Sequence, residues 1–132
     1  MLITKASEYA LLSLIYIAKC DKPQDVVTLS NELKISKSFL AKILQTLAKE
    51  GILISFKGVK GGFILSKKPS QISVKHIIES AEKKNIAVFD CSSGECPSHK
   101  DDNCSLFPML NKLQNKIDEF LDSISLEDIL DS

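Results

Sequence analysis

The chain has 132 residues, of which 44% are hydrophobic. This length suits one domain with an appended element, and the apolar content is too high for a disordered chain. No apolar run reaches the roughly 18 residues that a membrane-spanning helix needs, and the first residues lack the basic stretch and cleavage site of a signal peptide. We therefore expect a cytoplasmic protein with no membrane partner, whose thiols stay reduced.

The formal net charge of zero conceals a division between two halves of the chain. Residues 1–68 contain 11 lysines and 5 acidic residues, a net charge of +6, whereas residues 69–132 contain 6 lysines and 12 acidic residues, a net charge of −6. This division predicts a polyanionic partner for the first half alone. All 17 basic residues are lysines. The two-pronged contact of arginine with guanine therefore cannot be made, and DNA shape would carry a larger share of any sequence reading.

The first half of the chain predicts three helices. Apolar residues at helical spacing indicate a first helix over about 5–19. Thr28 is placed to cap a short helix over 29–34, and Ser36 is placed to cap a third helix over 37–50.

The third predicted helix has two faces of different chemistry. Its apolar face should pack into the core and consists of Leu40, Ile43, Leu44 and Leu47. Its other face has small, basic and amide side chains, namely Ser38, Ala41, Lys42 and Gln45. These side chains suit a helix that lies in a groove of DNA.

Two β-prone runs follow the third helix, at residues 52–56 and 63–66, and a glycine-rich connection joins them. They predict a β-hairpin, with Lys57 and Lys60 making its tip basic. A helix-turn-helix followed by a hairpin is the order of a winged helix. An ordinary helical hairpin followed by a β-hairpin, with no role in DNA binding, would give the same pattern.

The second half predicts a helix from Val74 to about residue 84, a segment over 90–105 without apolar periodicity, and a long helix over 106–123. The middle segment cannot form a packed core by itself, so something else must order it. Apolar residues of the long helix follow a heptad pattern that favours a dimer, although it could also pack within the chain. They are Leu106, Leu110, Leu113, Ile117, Phe120 and Ile124.

The expected fold is therefore mainly α with a small β-hairpin wing: a winged helix-turn-helix plus a long C-terminal dimerisation helix. Residues 1–68 would form the DNA-binding domain. Residues 69–132 would hold a cysteine-containing sensor loop (90–105) and the dimerisation helix (106–123). A sequence resembling a capping box at Ser125 predicts a short final turn.

Three cysteines, Cys91, Cys96 and Cys104, fall in the 90–105 segment. In a reducing compartment such a cluster is typical of an iron–sulfur or zinc site, and three thiolates leave a fourth position to fill. His99 lies within the segment and is a candidate for that position. Cys20 is separate, and we expect it to be a small apolar residue that is buried. Catalysis is not expected, because the two histidines lie beside no evident nucleophile motif.

Four segments carry a resemblance to a known family. They are Leu2-x-Thr4-Lys5-x-x-x-Tyr9-Ala10-Leu11, Ile35-Ser36-x-Ser38-Phe39-Leu40, Lys57-Gly58-x-x-Gly61-Gly62-Phe63-x-Leu65, and the cysteine cluster before the last long helix. In this order they resemble the Rrf2 family of bacterial winged-helix regulators, which includes iron–sulfur and nitric-oxide sensors. Lys57 stands where the family usually has arginine, and Ala41 stands where some relatives have a glutamate that gates which DNA sites are read.

The resemblance implies an iron–sulfur cluster, 2Fe–2S or 4Fe–4S, held by the three loop cysteines. It implies Glu8 of the partner subunit as the fourth ligand, with His99 as the alternative. An acidic residue near a helix N-terminus is also favoured by the helix dipole, which offers a structural reason for Glu8. Zinc or no metal is the alternative cofactor, in a regulator that responds to thiols or to a protein partner.

The resemblance also implies a homodimer, which we expect to repress transcription from a pseudo-palindromic operator in duplex DNA. A metal-carrying or electron-transfer module without DNA recognition is the rival interpretation. The residues expected at the DNA are Ser36, Lys37, Ser38, Phe39, Ala41, Lys42, Gln45, Lys57, Lys60, Gly61 and Gly62.

Overall fold

The computed structural model describes residues 3–87 and 105–132. Its helices and strands, in chain order, are α1 (Lys5–Ala18), α2 (Val26–Leu33), α3 (Lys37–Lys49), β1 (Leu53–Phe56), β2 (Gly62–Leu65), a 3-10 turn (Pro69–Gln71), α4 (Val74–Glu82), α5 (Phe107–Ser123) and α6 (Leu126–Leu130). The two strands form one antiparallel hairpin. The predicted fold class, mainly helical with one small hairpin after a helix-turn-helix, is confirmed.

The start of α2 corrects one prediction from the sequence. Thr28 is not the N-cap, because the helix begins three residues earlier and the carboxylate of Asp25 accepts a hydrogen bond of 2.7 Å from the backbone N–H of Thr28. Aspartate caps a helix at least as well as threonine, so the earlier residue is used. The same hydrogen bond holds the pKa of Asp25 below its ordinary value. The predicted cap of α3 is correct, since Ser36 Oγ accepts from the N–H of Phe39 at 3.3 Å.

The main hydrophobic core lies beneath α3. All four residues of its predicted apolar face are buried, and they pack with Leu14 of α1 and Leu29 of α2, both fully buried. The same core includes Ile77 of α4 and Leu126 of α6, from the second half of the chain. The α3 helix is therefore held from several sides, and removing a buried leucine such as Leu47 should cost about 2–5 kcal/mol.

The end of the chain returns to this core through a short backbone pairing. The N–H of Val74 donates to the carbonyl of Ile124 at 2.8 Å, and the N–H of Leu126 donates to the carbonyl of Ile72 at 2.9 Å. Ser125 then caps α6 in a complete capping box with Asp128, as its sequence predicts.

The long helix α5 has an inner and an outer apolar face. Of the predicted heptad residues, Ile117 and Ile124 pack against a second cluster formed by Val74, Ile78, Ile86 and Leu121. The outer apolar residues are exposed in the single chain and are Leu106, Met109, Leu113 and Phe120. Leu110 is partly exposed. None of the helices within 3–87 and 105–132 is long and apolar enough to cross a membrane.

Candidate nucleic-acid interface

The polar face predicted for α3 is on the surface of the protein. Lys37, Ser38, Lys42 and Gln45 are exposed and Ala41 is partly exposed, while the opposite face is buried. A cylinder of this kind, with polar groups along one side and a well-packed core behind it, can enter the major groove, which is wide enough to admit one helix. The side chains on this face can donate hydrogen bonds to base edges or to phosphates.

The start of α3 is connected to α1 through two aromatic rings. The ring centroids of Tyr9 and Phe39 lie 5.5 Å apart with their planes at 86°, an edge-to-face arrangement. Lys5 Nζ lies 5.8 Å from the Tyr9 ring centroid and 3.5 Å from the carboxylate of Glu8. A continuous set of contacts therefore runs from Glu8 through Lys5 and Tyr9 to Phe39, which is 40% exposed beside the polar face of α3.

The hairpin tip depends on its glycines. Gly58 has a φ of +103°, a conformation that other residues rarely adopt. A side chain at Gly61 would overlap the carbonyl oxygen of Phe56. The resulting tight turn leaves Lys57 and Lys60 exposed, as a basic tip must be if it is to meet phosphate.

The hairpin is also anchored to the helical part of the protein, which the sequence did not predict. Gln24 pairs with Phe63 through two backbone hydrogen bonds of 3.1 and 2.9 Å, so the loop before α2 forms an isolated antiparallel bridge with β2. Gly62 has a φ of +142°, and a side chain there would overlap the backbone of Gln24. The wing is therefore fixed in direction relative to α2 and α3.

The predicted metal ligands Cys91, Cys96, His99 and Cys104 lie outside the described residues. Glu8 is described: its side chain is 51% exposed, and it is paired with Lys5. Residues 3–87 and 105–132 contain no group of three His, Cys, Asp or Glu side chains that could hold a metal ion. Three thiols and one accessible carboxylate are still a donor set that suits iron. Cys20 is partly rather than fully buried, and its thiol is free.

The chain just before the cysteine segment is held at Ile86 by two polar side chains. The N–H of Ile86 donates to the carboxylate of Glu79 at 3.3 Å, and its carbonyl accepts from the amide of Gln114 on α5 at 2.8 Å. Gln114 is itself buried and also donates to Asp118 at 3.0 Å. The chain at Ile86, four residues before the cysteine segment, is thereby tied to both α4 and α5, a connection that no local sequence signal reveals.

A second polar contact joins the beginning of α1 to the end of α4. Thr4 Oγ1 and Ser7 Oγ both donate hydrogen bonds to the carboxylate of Glu82. The distance from Ser7 Oγ to Glu82 Oε1 is 2.5 Å. Burial raises the pKa of Glu82, but the hydrogen bonds from Ser7 and Thr4, together with the charge of Lys84, outweigh burial and hold it below its ordinary value. The turn of α1 that contains Glu8 is therefore fixed to α4, close to where the chain enters the cysteine segment.

Comparison with known proteins agrees with this architecture. The family model for Rrf2, described as an iron-dependent transcriptional regulator, matches residues 3–132. The regulator NsrR of Bacillus licheniformis is 28% identical, with 98% of this chain and 92% of that protein covered. The regulator IscR of Pectobacterium atrosepticum is 26% identical, with 100% and 80% covered.

Among solved structures, CymR of B. subtilis, described as its global cysteine regulator, has a similar fold. Its TM-score is 0.80 at 22% identity, and the match covers 99% of this chain and 97% of CymR. The winged-helix fold predicted for the helix-turn-helix and hairpin is thus confirmed. These relatives are transcriptional regulators and not enzymes. The chain belongs to the Rrf2 family of transcriptional regulators.

Proposed function

We propose that the chain is a homodimeric transcriptional repressor of the bacterial cytoplasm, and that an iron–sulfur cluster controls its affinity for DNA. Cys91, Cys96 and Cys104 would hold the cluster. Glu8 of the partner subunit would supply the fourth ligand, with His99 as the alternative. The cluster would provide an iron centre that reacts with oxidants or nitric oxide.

The DNA-binding part of the proposal is supported by the chemistry of two neighbouring surfaces. The polar face of α3 offers an amide, hydroxyls and ammonium groups, and the fixed wing offers Lys57 and Lys60. Two copies of α3 in a homodimer would enter successive major grooves of a pseudo-palindromic operator. The wings would lie near the adjacent minor grooves and contact phosphates.

The observation that carries the sensing part is the set of contacts from Glu8 to Phe39. A carboxylate that turns toward a metal leaves the ammonium of Lys5, which lies beside Tyr9. Tyr9 in turn meets Phe39 at the start of α3. Binding of Glu8 to the cluster would therefore change the position of Phe39, which is expected at the DNA. Such a shift would make the affinity for DNA depend on the cluster.

Dimerisation is supported by the outer face of α5. Four large apolar residues on this face, or just before the helix, are at least 44% exposed in the single chain. Exposed apolar residues grouped along one helix mark an interaction surface. A second copy of α5 would cover them and bring Glu8 of one subunit toward the cysteine segment of the other.

An anaerobic absorption spectrum, with analysis of iron and sulfide, tests the cofactor. We expect the wild type to be brown with stoichiometric iron and sulfide, and Cys96→Ala to lose both. Cys20→Ala is the matched control, because it also removes one thiol and should keep the colour. A colourless wild type without iron would reject the cluster and leave zinc or thiol chemistry, the alternative that includes a cysteine regulator such as CymR.

A further inference from the structure

The described surface contains a polar cleft between α3 and α4 that the proposed operator contacts do not use. It has a volume of about 500 Å³, and its lining includes Thr46, Lys49, His76, Ser80, Lys83 and Lys84. A shallower cleft of about 260 Å³ adjoins it and is lined by Lys42, Gln45, Thr46, Lys49 and Lys83. Because Thr46, Lys49 and Lys83 line both, the two clefts form one continuous surface that reaches the DNA-reading face of α3.

The positive charge is concentrated at the end of this surface nearest α3. The shallower cleft has three lysines and no acidic residue, together with the amide of Gln45 and the hydroxyl of Thr46. The larger cleft also has two glutamates: Glu50, just after α3, and Glu79, whose carboxylate already accepts the N–H of Ile86. Ammonium, amide and hydroxyl groups, such as those of the shallower cleft, are the donors that bind phosphate in protein–DNA complexes.

The position of Lys49 and Lys83, at the edge of α3 that adjoins α4, fits the DNA backbone rather than the bases. The major groove is about 12 Å wide, and a helix with its side chains is about 10–12 Å in diameter. A helix in the groove therefore has a sugar–phosphate strand along each side. Lys83 is the only α4-side residue of the shallower cleft, and it lies beside Lys42 and Gln45 of α3.

We propose that Lys49 and Lys83 form a phosphate clamp, with which the cleft between α3 and α4 binds the DNA backbone alongside the recognition helix. The clamp would add a contact with the DNA backbone to those proposed for the wing. It rests on the DNA-binding half of the proposed function. Since Lys83 is seven residues before the cysteine segment (90–105), the clamp would also place a DNA contact near that segment in the sequence.

Salt-dependent DNA binding tests the clamp. The probes are a labelled duplex from the region upstream of the protein's own coding sequence and a shuffled duplex of the same composition, titrated between about 50 and 200 mM salt. The variants are Lys49→Gln, Lys83→Gln and the pair together. The control is the pair Lys112→Gln and Lys116→Gln, which removes two exposed lysines from α5.

We expect the Lys49→Gln and Lys83→Gln pair to weaken binding to both duplexes by the same factor. The slope of log affinity against log salt should fall in magnitude by about 0.9 for each lost phosphate contact. The control pair should leave the slope unchanged, and circular dichroism should show that all variants are folded. A slope equal to that of the wild type in the Lys49→Gln and Lys83→Gln pair would overturn the clamp.

Two further outcomes distinguish failure of the clamp from failure of the proposed DNA binding. If the wild type binds neither duplex, the DNA-binding half of the proposed function fails together with the clamp. If the wild type binds DNA and the variants have the same affinity and salt slope as the wild type, the clamp alone fails.

Discussion

The rings of Tyr9 and Phe39 meet edge to face with their centroids 5.5 Å apart, and this contact joins α1 to the first turn of α3. The contact matters because Phe39 stands next to the polar face of α3, whereas Tyr9 stands one residue after Glu8. It is therefore one connection between the proposed fourth ligand and the proposed DNA-reading surface.

A double-mutant cycle measures this ring contact. Tyr9→Leu and Phe39→Leu each keep an apolar side chain but remove one ring. Because edge-to-face pairs contribute about 0.5–1.5 kcal/mol beyond the area they bury, we expect a coupling of that size in the free energy of unfolding from urea titrations. A coupling near zero would mean that the rings touch without stabilising each other and that the path from α1 to α3 runs elsewhere.

Lys60→Ala should weaken DNA binding without changing which sequence is preferred. Lys60 lies exposed at the tip of the wing, where it can reach phosphate but is one of several basic groups. We expect equal losses on the upstream duplex and on a shuffled duplex in fluorescence anisotropy, with a smaller salt slope. A loss confined to the upstream duplex would instead assign Lys60 to base reading.

Gln45→Ala should have the opposite signature. Its amide lies on the exposed face of α3 and can contact a base edge, and good contacts of this kind contribute about 1–3 kcal/mol of discrimination against the wrong base. We expect one position of the selected binding site to become less specific in a sequence-selection experiment, while affinity for the shuffled duplex stays constant. An unchanged set of selected sequences would reject the reading role of Gln45.

The cap of α2 gives a prediction about pH. Asp25→Ala should lower the free energy of unfolding by about 0.5–2 kcal/mol at neutral pH, as expected for loss of an N-cap. Because the pKa of Asp25 in the folded protein is below its ordinary value of 3.8, its charge contributes stability that is fully present above that value. This contribution is lost as the pH falls through the folded pKa.

Urea titrations of the wild type and Asp25→Ala between neutral and acidic pH provide the measurement for this cap. The gap between the two proteins should be constant above about pH 5 and should narrow below pH 4. Thr28→Ala should cost less stability than Asp25→Ala, because it keeps the backbone N–H that Asp25 caps and removes only the additional hydroxyl contact with Asp25. A larger loss in Thr28→Ala than in Asp25→Ala would restore Thr28 as the cap.

Phe120→Glu should separate the proposed homodimer. Phe120 is 61% exposed on the outer face of α5, so a charge there costs little in the monomer but cannot be buried against a second copy. We expect a shift from dimer to monomer in sedimentation, together with weaker operator binding. Asn115→Glu adds the same charge at an exposed position outside the heptad pattern and should stay dimeric. If Phe120→Glu also stays dimeric, the outer face of α5 is not the interface.

Local signals explain what could be predicted from the sequence. The two faces of α3 and the caps at Ser36 and Ser125 follow from helical spacing and from residues three positions apart, so short-range geometry decides them. The predicted start of α2 was wrong because Asp25 and Thr28, three residues apart, are both good caps. Only the neighbouring structure selects between them.

Contacts between distant residues had no such signal. Glu82 binds Ser7 across 75 positions, and the amide of Gln114 binds the carbonyl of Ile86 across 28. Neither pair is marked by composition or period, although a serine buried within an apolar helix invites a search for its partner. The heptad spacing of α5 likewise could not say that Ile117 would face the protein's own core while Phe120 would face outward.

The most direct test of the account is the affinity of one operator duplex for the wild-type protein with and without its cluster, measured anaerobically by fluorescence anisotropy. We predict that removing iron changes the affinity by at least about tenfold, which corresponds to about 1.4 kcal/mol of coupling between the two sites. Cys96→Ala should match the iron-free protein. Equal affinity for the duplex in both states would contradict control by a cluster, while leaving the protein a DNA-binding member of its family.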